Sequence, residues 1–343
     1  MAGRWRGRRL AWLVAGGFFL AAAVAAGVHF VPRLIYMQWG HLALKPVKGG
    51  LDAARLRVIN RTTGGLKARV VWSSSRSGNH EIYLLKLPSG RLFRLTNHPH
   101  VDFFPRFSPD GRFIVFARSQ KKWVSERRED PWDTYLLELS TGKERLLARN
   151  ANYPQWVDQG RVSFQRGTQV VVKDLAGGSE QVIYDAARPP VRGRLGTPEL
   201  SRSRPGLLAI TTRGRISGNL VVDLKSGRHT FYGPGCEITF LPPGQGVIWV
   251  DTRGRQKTRF VFSPLGKPRP RLLWDSAGDY SHEYFPRASR DGRWLVWGAS
   301  TGGHEHDIAD YEIFLRSLGR PAAQAVRLTY NGGNDRWPDI YLD

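Results

Sequence analysis

The sequence of 343 residues predicts an all-β protein, a six-bladed β-propeller preceded by one N-terminal transmembrane helix. Tight turns that end in glycine recur along most of the chain, at intervals of 49, 46, 40 and 46 residues. Six similar apolar strands recur with these turns, and no helical periodicity separates them. A repeat of roughly 40 to 50 residues built from short strands is typical of propeller blades. A long uncharged apolar segment near the N-terminus predicts the helix.

The N-terminus combines a basic segment with an apolar one. Residues 1–9 contain four arginines, and residues 10–31 carry no formal charge. At ~1.5 Å per residue, residues 10–31 can cross a bilayer core of ~30 Å as a helix. Because arginines favour the cytoplasmic side, we expect a single-pass inner-membrane protein with its propeller in the periplasm or extracytoplasmic space. The alternative is a signal peptide cleaved near Ala25, which would release the protein into the periplasm.

Residues 32–68 contain prolines, paired glycines and scattered basic residues with weak periodicity. This composition predicts a tether that lifts the propeller off the membrane, with its basic residues close to anionic headgroups. The propeller itself is assigned to residues 69–343.

The repeats share one order of strands: an entry strand that contains proline, two apolar strands and a short exit strand. Entry segments 102–112 and 283–293 match at most positions, including their Asp-Gly turns. Each repeat also supplies a strand with the same apolar pattern, and the six are 81–87, 134–139, 169–175, 219–224, 258–262 and 311–315. An aromatic residue recurs once per repeat and predicts packing between blades, at Trp72, Phe116, Phe164, Trp249 and Trp297.

The two ends of the repeat region are complementary. Residues 335–342 repeat the entry strand alone, whereas the first repeat starts at Val70 and lacks an entry strand. We therefore expect 335–342 to complete the first blade and close the ring, which leaves no exposed sheet edge. Residues 55–60 are the alternative source of the missing strand.

Three motifs carry a family resemblance: Ser-x-Arg-Ser-Gly-Asn-x-Glu-Ile-Tyr at 74–83, Arg-Leu-Thr-Asn-His at 94–98 and Pro-x-Phe-Ser-Pro-Asp-Gly-Arg at 105–112. They resemble the WD40-like (PD40) repeats of TolB-type β-propellers, most strongly over 70–118 and 280–343. The resemblance implies a six-bladed propeller that is often periplasmic and serves as a binding platform in the cell envelope. We expect a membrane segment and a tether here in place of the α/β domain that precedes the propeller in TolB-type proteins.

The composition limits the classes of partner. Lysine and arginine number 52 against 29 acidic residues, a net charge of +23 that attracts anionic polymers and lipids. The charge is scattered over many turns and forms no recognised nucleic-acid module, so we expect no nucleic-acid partner. Cys236 is the single cysteine, which excludes an intramolecular disulfide and cysteine-based zinc sites.

The loop at 302–310 is the candidate metal site. His304 and His306 share one face of an extended segment, and Asp307 or Asp310 could add oxygen ligands. His282 could join them if the ring brings both loops to one end of the channel. Such residues are more often solvated or hydrogen-bonded within their turn, so we predict no cofactor and keep a divalent metal as the alternative.

The loop at 119–133 is the candidate partner-binding segment. It mixes charges of both signs with Trp123 and Trp132, and tryptophan is a favoured anchor at protein interfaces. The alternative is a solvated loop that its own tryptophans cover.

These observations favour a non-catalytic binding or assembly platform outside the cytoplasm, tethered to the inner membrane. Its expected partners are envelope proteins or an anionic envelope polymer. The alternative is a metal-dependent envelope enzyme, a lyase or hydrolase, that acts on anionic carbohydrate. Serine-peptidase activity is not supported, because the sequence contains no Gly-x-Ser-x-Gly nucleophile motif.

Overall fold

The computed structural model describes residues 46–343 except 129–130, 256, 304 and 321–323. The predicted basic segment at 1–9, the transmembrane helix at 10–31 and the cleavage position near Ala25 lie outside these residues. Within the described residues, no helix has the length and apolar character needed to cross a membrane.

The described part of the chain forms one helix and twenty-five strands, and the strands make six antiparallel sheets. Blade 1 takes its elements from both ends of the chain: β1 (Pro46–Val47), helix α1 (Ala53–Thr63), β2 (Ala68–Ser74), β3 (Glu81–Leu87), β4 (Arg91–Arg94) and β25 (Asp335–Leu342). Blades 2 and 3 follow as β5 (Asp102–Phe107), β6 (Phe113–Ser119), β7 (Trp132–Glu138), β8 (Glu144–Ala148), β9 (Asn152–Trp156), β10 (Arg161–Arg166), β11 (Gln169–Asp174) and β12 (Glu180–Asp185).

Blades 4 to 6 repeat the same four-stranded order. They consist of β13 (Arg194–Leu200), β14 (Leu207–Arg213), β15 (Gly218–Asp223), β16 (His229–Gly233), β17 (Cys236–Leu241), β18 (Gly246–Asp251), β19 (Arg259–Pro264), β20 (Arg271–Trp274), β21 (His282–Ala288), β22 (Trp294–Ser300), β23 (Glu312–Ser317) and β24 (Val326–Arg327). The innermost strand of each blade contacts the innermost strands of the two neighbouring blades, so these strands line a central channel; they are β25, β5, β9, β13, β17 and β21. The six-bladed all-β propeller is confirmed.

The C-terminal strand β25 (Asp335–Leu342) closes the ring. It pairs antiparallel with β2, with Ile340 opposite Val70, and takes the innermost place in blade 1. The predicted closure by residues 335–342 is therefore confirmed. The alternative is wrong, because residues 55–60 lie within α1.

The prediction of a tether is wrong for residues 46–68, which belong to the body of the propeller. Strand β1 pairs with β4 at the outer edge of blade 1, and the side chain of Ile59 on α1 is only 1% exposed, within a core cluster of that blade. Asp52 accepts a hydrogen bond from the Arg55 backbone N–H at 2.8 Å and caps the N-terminus of the helix. Gly64, with φ of 69°, is the residue that caps its C-terminus. Packing of its buried face stabilises this short helix, which the weak periodicity of its sequence does not predict.

Each innermost strand contains one irregular residue. In every blade a register shift against the second strand coincides with a residue at positive φ, between 48° and 60°, and the six are Phe104, Tyr153, Thr197, Glu237, Phe285 and Trp337. Five of them precede a proline, which lacks the N–H that a regular ladder needs and therefore suits a bulge. All six side chains line the channel.

The predicted aromatic residues between blades are confirmed as core. Trp72, Phe116, Phe164, Trp249 and Trp297 are each at most 2% exposed. The Asp-Gly turns of the two matching entry segments are also alike, since Ser108 Oγ donates to Asp110 at 2.6 Å and Ser289 Oγ donates to Asp291 at 2.5 Å. The repeated motif therefore fixes the same turn in two blades.

The docking of α1 yields a stability prediction. Ile59→Ala removes a buried side chain and leaves a cavity between α1 and blade 1, so we expect the free energy of unfolding to fall by about 2–5 kcal/mol in urea denaturation. The neighbouring Val58 is 58% exposed and serves as the control. Val58→Ala should change stability by no more than about 0.5 kcal/mol. Equal, small effects of both variants would mean that α1 does not pack on the propeller in solution.

Candidate functional site

Aromatic side chains fill the middle of the channel. Phe104, Tyr153, Phe285 and Trp337, which we call the aromatic plug, come from four different blades. Their ring centroids lie 4.4 Å apart for Phe104 and Tyr153, 4.5 Å for Phe104 and Trp337 and 4.4 Å for Phe285 and Trp337. The space left beside the plug admits about one or two water molecules. The plug therefore leaves no room for a substrate along the middle of the axis.

Two inserted loops meet over one end of the channel. The described residues of the loop between β6 and β7 (120–128 and 131) and of the loop between β22 and β23 (301–303 and 305–311) together form what we call the cap. Ser125 Oγ donates a hydrogen bond to Asp307 Oδ2 at 2.5 Å, and an Arg127 nitrogen lies 3.1 Å from Glu305 Oε2. The cap thus links blade 2 to blade 6 across blade 1.

Glu126 is the centre of the contacts within the cap. Its side chain is buried, forms an ion pair with Arg336 at 3.0 Å, contacts His306 Nδ1 and accepts a hydrogen bond from Trp337 Nε1. Burial acts to raise the pKa of Glu126, but the charges of Arg336 and His306 and these hydrogen bonds outweigh it and lower the pKa to about 2. Glu126 is therefore ionised at neutral pH and holds both loops to the closing strand.

Among the described residues, the predicted metal ligands form no group of three that could hold a metal ion. His306 contacts Glu126 and lies against the Tyr284 and Phe285 rings, with centroids 4.6 Å and 4.9 Å away. Asp307 lies 3.4 Å from a guanidinium nitrogen of Arg336, which disfavours a divalent cation at the same carboxylate.

The remaining described candidates, Asp310 and His282, make other contacts. Asp310 accepts two hydrogen bonds from Thr301, and His282 begins β21 opposite Ser300. Within the described ranges no group of three or more His, Cys, Asp or Glu side chains could hold a metal ion. His304 lies outside the described residues, so its part in a metal site stays a prediction.

The two tryptophans of the predicted partner loop have opposite environments. Trp123 is 64% exposed, in agreement with a role at the surface, whereas Trp132 is fully buried. The prediction for Trp132 is wrong because this residue begins β7, packs 5.4 Å from the Phe103 ring and donates from Nε1 to the Arg128 carbonyl at 2.8 Å. Ile308, on the second cap loop, is 85% exposed, although no sequence motif marks it.

Arg336 is a functional position that sequence reasoning missed, and a signal for it exists. In the matching entry segments its place is taken by Phe103 and Tyr284. A charged residue at an otherwise aromatic, buried position requires a buried partner of opposite charge. That partner is Glu126, which lies in the insertion of another blade.

The chain is similar in sequence to TolB over a limited stretch. No family model matches it. The Tol-Pal system protein TolB of Francisella tularensis subsp. mediasiatica (strain FSC147) is 33% identical over 81 residues, which is 24% of this chain. The match spans 17% of the length of that relative.

Solved structures share the fold across most of the chain. TolB from Acinetobacter baumannii has a TM-score of 0.62 at 14% identity, and the match covers 82% of this chain and 69% of that one. The putative TolB from Agrobacterium tumefaciens has a TM-score of 0.54 at 12% identity, with coverage of 81% and 99%. A chain of the nidogen/laminin complex has a TM-score of 0.58 at 12% identity, with coverage of 80% and 98%. The chain therefore has the six-bladed β-propeller fold of TolB.

The contacts of Glu126 yield a second stability prediction. Glu126→Gln removes the charge that compensates buried Arg336, so we expect a loss of about 3–5 kcal/mol in the free energy of unfolding, measured in urea. Glu305→Gln is the matched control, because Glu305 pairs with Arg127 at an exposed position. It should cost no more than about 1 kcal/mol.

The pH dependence tests the same contact. A carboxylate with a lowered pKa stabilises the fold above its unfolded pKa of about 4.5 and loses that contribution as the pH falls through about 2. The difference between the wild type and Glu126→Gln should therefore narrow as the pH is lowered from about 4.5 towards 2. A difference that stays constant across this range would contradict an ion pair at Glu126.

Proposed function

We propose that the chain is a non-catalytic platform that binds a protein of the cell envelope through the cap. The observation that carries the proposal is the exposure of two large apolar side chains, Trp123 and Ile308, one on each cap loop. Tryptophan anchors are among the side chains that contribute most to binding at protein interfaces. Both side chains project from loops that are fixed to the propeller beneath them.

The support under these two side chains is rigid. Glu126, three residues after Trp123, is held by Arg336 and Trp337 of the closing strand, and Val124 and Ala309 pack within one core cluster. A surface whose loops are already ordered loses little conformational entropy on binding. The cap therefore suits a preformed binding surface better than a mobile lid.

The two cap loops differ in charge. The first exposes Lys121 and Lys122 next to Trp123 and two arginines further along, whereas the second carries Glu305, Asp307 and Asp310. Complementary charge steers encounter and selects the partner. We therefore expect a partner surface that combines an apolar depression with acidic residues opposite the first loop.

Two further observations support a binding role. The aromatic plug fills the part of the channel where an axial substrate pocket would lie, which supports a non-catalytic protein. The relative TolB is named as a component of the Tol-Pal system, and the nidogen/laminin propeller was solved as a complex. Both names support the proposal that a propeller of this fold binds other proteins.

We also place the propeller close to the outer face of the inner membrane, anchored by residues 10–31. The support for an anchor is the uncharged segment after four arginines. Since β1 already belongs to blade 1, only residues 32–45 can act as the tether. Fourteen residues span at most about 50 Å when fully extended.

The binding proposal is tested by photo-cross-linking in intact cells. A photoreactive residue at position 123 should give one discrete cross-linked product, and one at Leu272 should not. Leu272 is the matched control because it is 57% exposed but lies on the outer strand of blade 5. With the captured protein purified, Trp123→Ala should weaken binding about tenfold or more, and Leu272→Ala should leave it unchanged. The same product from both positions would contradict a binding site at the cap.

The anchor is tested by fractionation of cells that express the full chain. We expect the protein in the membrane fraction after a high-salt wash, with release only by detergent, because an apolar helix is not displaced by salt. N-terminal sequencing of the isolated protein should find residues 10–31 intact. A mature protein that starts just after Ala25 and is found in the soluble periplasmic fraction would overturn the anchor.

A further inference from the structure

The end of the channel opposite the cap is lined by arginines. Four of them, Arg106, Arg202, Arg287 and Arg290, form what we call the arginine mouth. Arg202 and Arg290 lie in the turns that follow β13 and β21 and line a pocket that also contains Asp339. Arg106 on β5 and Arg287 on β21 line the cavity between this pocket and the aromatic plug.

The carboxylates of this region do not balance the arginines. Arg287 donates a hydrogen bond to Glu199 Oε2 at 2.7 Å, and Asp339 accepts one from the Phe107 backbone N–H at 2.8 Å. Glu199 and Asp339 are the acidic partners that act electrostatically on both Arg106 and Arg202. Four guanidinium groups thus face two carboxylates.

Glu237, which also lines the cavity, does not restore the balance. Burial raises its pKa well above the ordinary value for glutamate, and its Oε2 atom already accepts a hydrogen bond from the Phe285 backbone N–H at 2.5 Å. Burial therefore disfavours the charged form of this carboxyl. Even if Glu237 is counted as charged, four guanidinium groups face three carboxylates. The arginine mouth therefore holds an excess of positive charge.

Buried donors in the arginine mouth also lack acceptors. Arg106 is 3% exposed and Arg287 is 7% exposed, yet the Nε atoms of both have no hydrogen-bond partner among the described residues. The same holds for one terminal nitrogen of Arg202, which is buried. Arg287 Nε does lie 3.8 Å from Asp339, too far for a hydrogen bond. Leaving such donors unsatisfied is costly.

Arg118 is a buried arginine of the same fold in which all three guanidinium nitrogens have a carboxylate acceptor. Its guanidinium donates to both oxygens of Asp102 at 2.7 Å and 2.8 Å and to Glu144 at 2.7 Å. In the arginine mouth the terminal nitrogens of Arg287 donate to Glu199, Thr239 and Gln155, and one of Arg106 donates to the Pro105 carbonyl. The Nε atoms of these two arginines and one terminal nitrogen of Arg202 stay without an acceptor in the described part of the chain, and Arg202 lines the pocket at the end of the channel.

We propose that the arginine mouth binds an oxyanion, a carboxylate or a phosphate, in the pocket lined by Arg202 and Arg290, with Arg106 and Arg287 adding positive charge behind it. Planar guanidinium groups bind such ions through paired charge-assisted hydrogen bonds. The walls of the pocket include Phe107 and Tyr341, so the rest of the ligand meets apolar surface. The site is separated from the cap by the aromatic plug and does not depend on the platform function.

The test uses the full chain in detergent, titrated with sodium phosphate and with sodium acetate at constant ionic strength. Calorimetry and thermal unfolding should show saturable binding and a matching rise in Tm. Arg202→Gln should weaken the affinity about 10-fold to 100-fold, the effect of losing a charge-assisted hydrogen bond. Arg204→Gln is the matched control, because Arg204 is exposed in the same turn.

Two further variants distinguish a loss of binding from misfolding. Arg290→Gln changes a different turn of the same pocket, and Arg202→Lys keeps the charge but loses the planar fork. Both should weaken binding while circular dichroism and the denaturant m-value stay those of the wild type. Absence of saturable binding of either ion to the wild type, or an equal loss in Arg204→Gln, would overturn the proposal.

One further titration distinguishes the two sources of the oxyanion, a polypeptide carboxylate and a free small ion. A short peptide with two glutamates is compared with free acetate and phosphate. Tighter binding of the peptide, lost in Arg202→Gln, assigns the oxyanion to a polypeptide. Tighter binding of free phosphate, lost in the same variant, assigns it to a small ion. Either result supports the oxyanion site.

Discussion

The pairing of β25 with β2 is the interaction on which the rest of the molecule depends. It joins residues 335–342 to residues 68–74, so that β2 has a paired strand on both sides and blade 1 is complete. It also places three side chains at three levels of the channel. Arg336 holds the cap, Trp337 belongs to the aromatic plug and Asp339 lies in the arginine mouth. The strand pairing that closes the ring therefore also positions side chains of both candidate binding surfaces.

The division of the channel into apolar and charged levels follows from the bulge in each innermost strand. The residue at positive φ and the residue two positions later both face the axis, as Phe104 and Arg106 do in blade 2 and Phe285 and Arg287 in blade 6. Proline between them removes an N–H that the bulge could not satisfy. The same Pro-Arg pair in two entry strands thus puts an aromatic side chain in the plug and an arginine in the mouth.

The sequence predicted what local patterns encode. Recurrent glycine turns, six similar apolar strands and an entry strand divided between the two ends of the chain were sufficient to predict the six blades and their closure. The helix α1 was missed although Asp52 and Gly64 are recognisable end signals, because eleven residues with one well-buried side chain give little periodicity. The contact between Glu126 and His306 spans 180 residues and exists only once the ring is closed, so no local pattern could indicate it.

The aromatic plug makes the two candidate surfaces independent. At the cap, Glu126 and Arg336 form a buried pair whose charges compensate. In the middle, burial and the nearby charge of Glu126 both raise the pKa of Glu237 and so disfavour a negative charge at that level. At the opposite end, guanidinium groups outnumber carboxylates. An anion that enters the pocket at the arginine mouth is therefore attracted by these guanidinium groups, and the four packed rings separate it from the cap. A protein bound on Trp123 and Ile308 contacts only the other end, so both ligands can occupy one propeller at the same time.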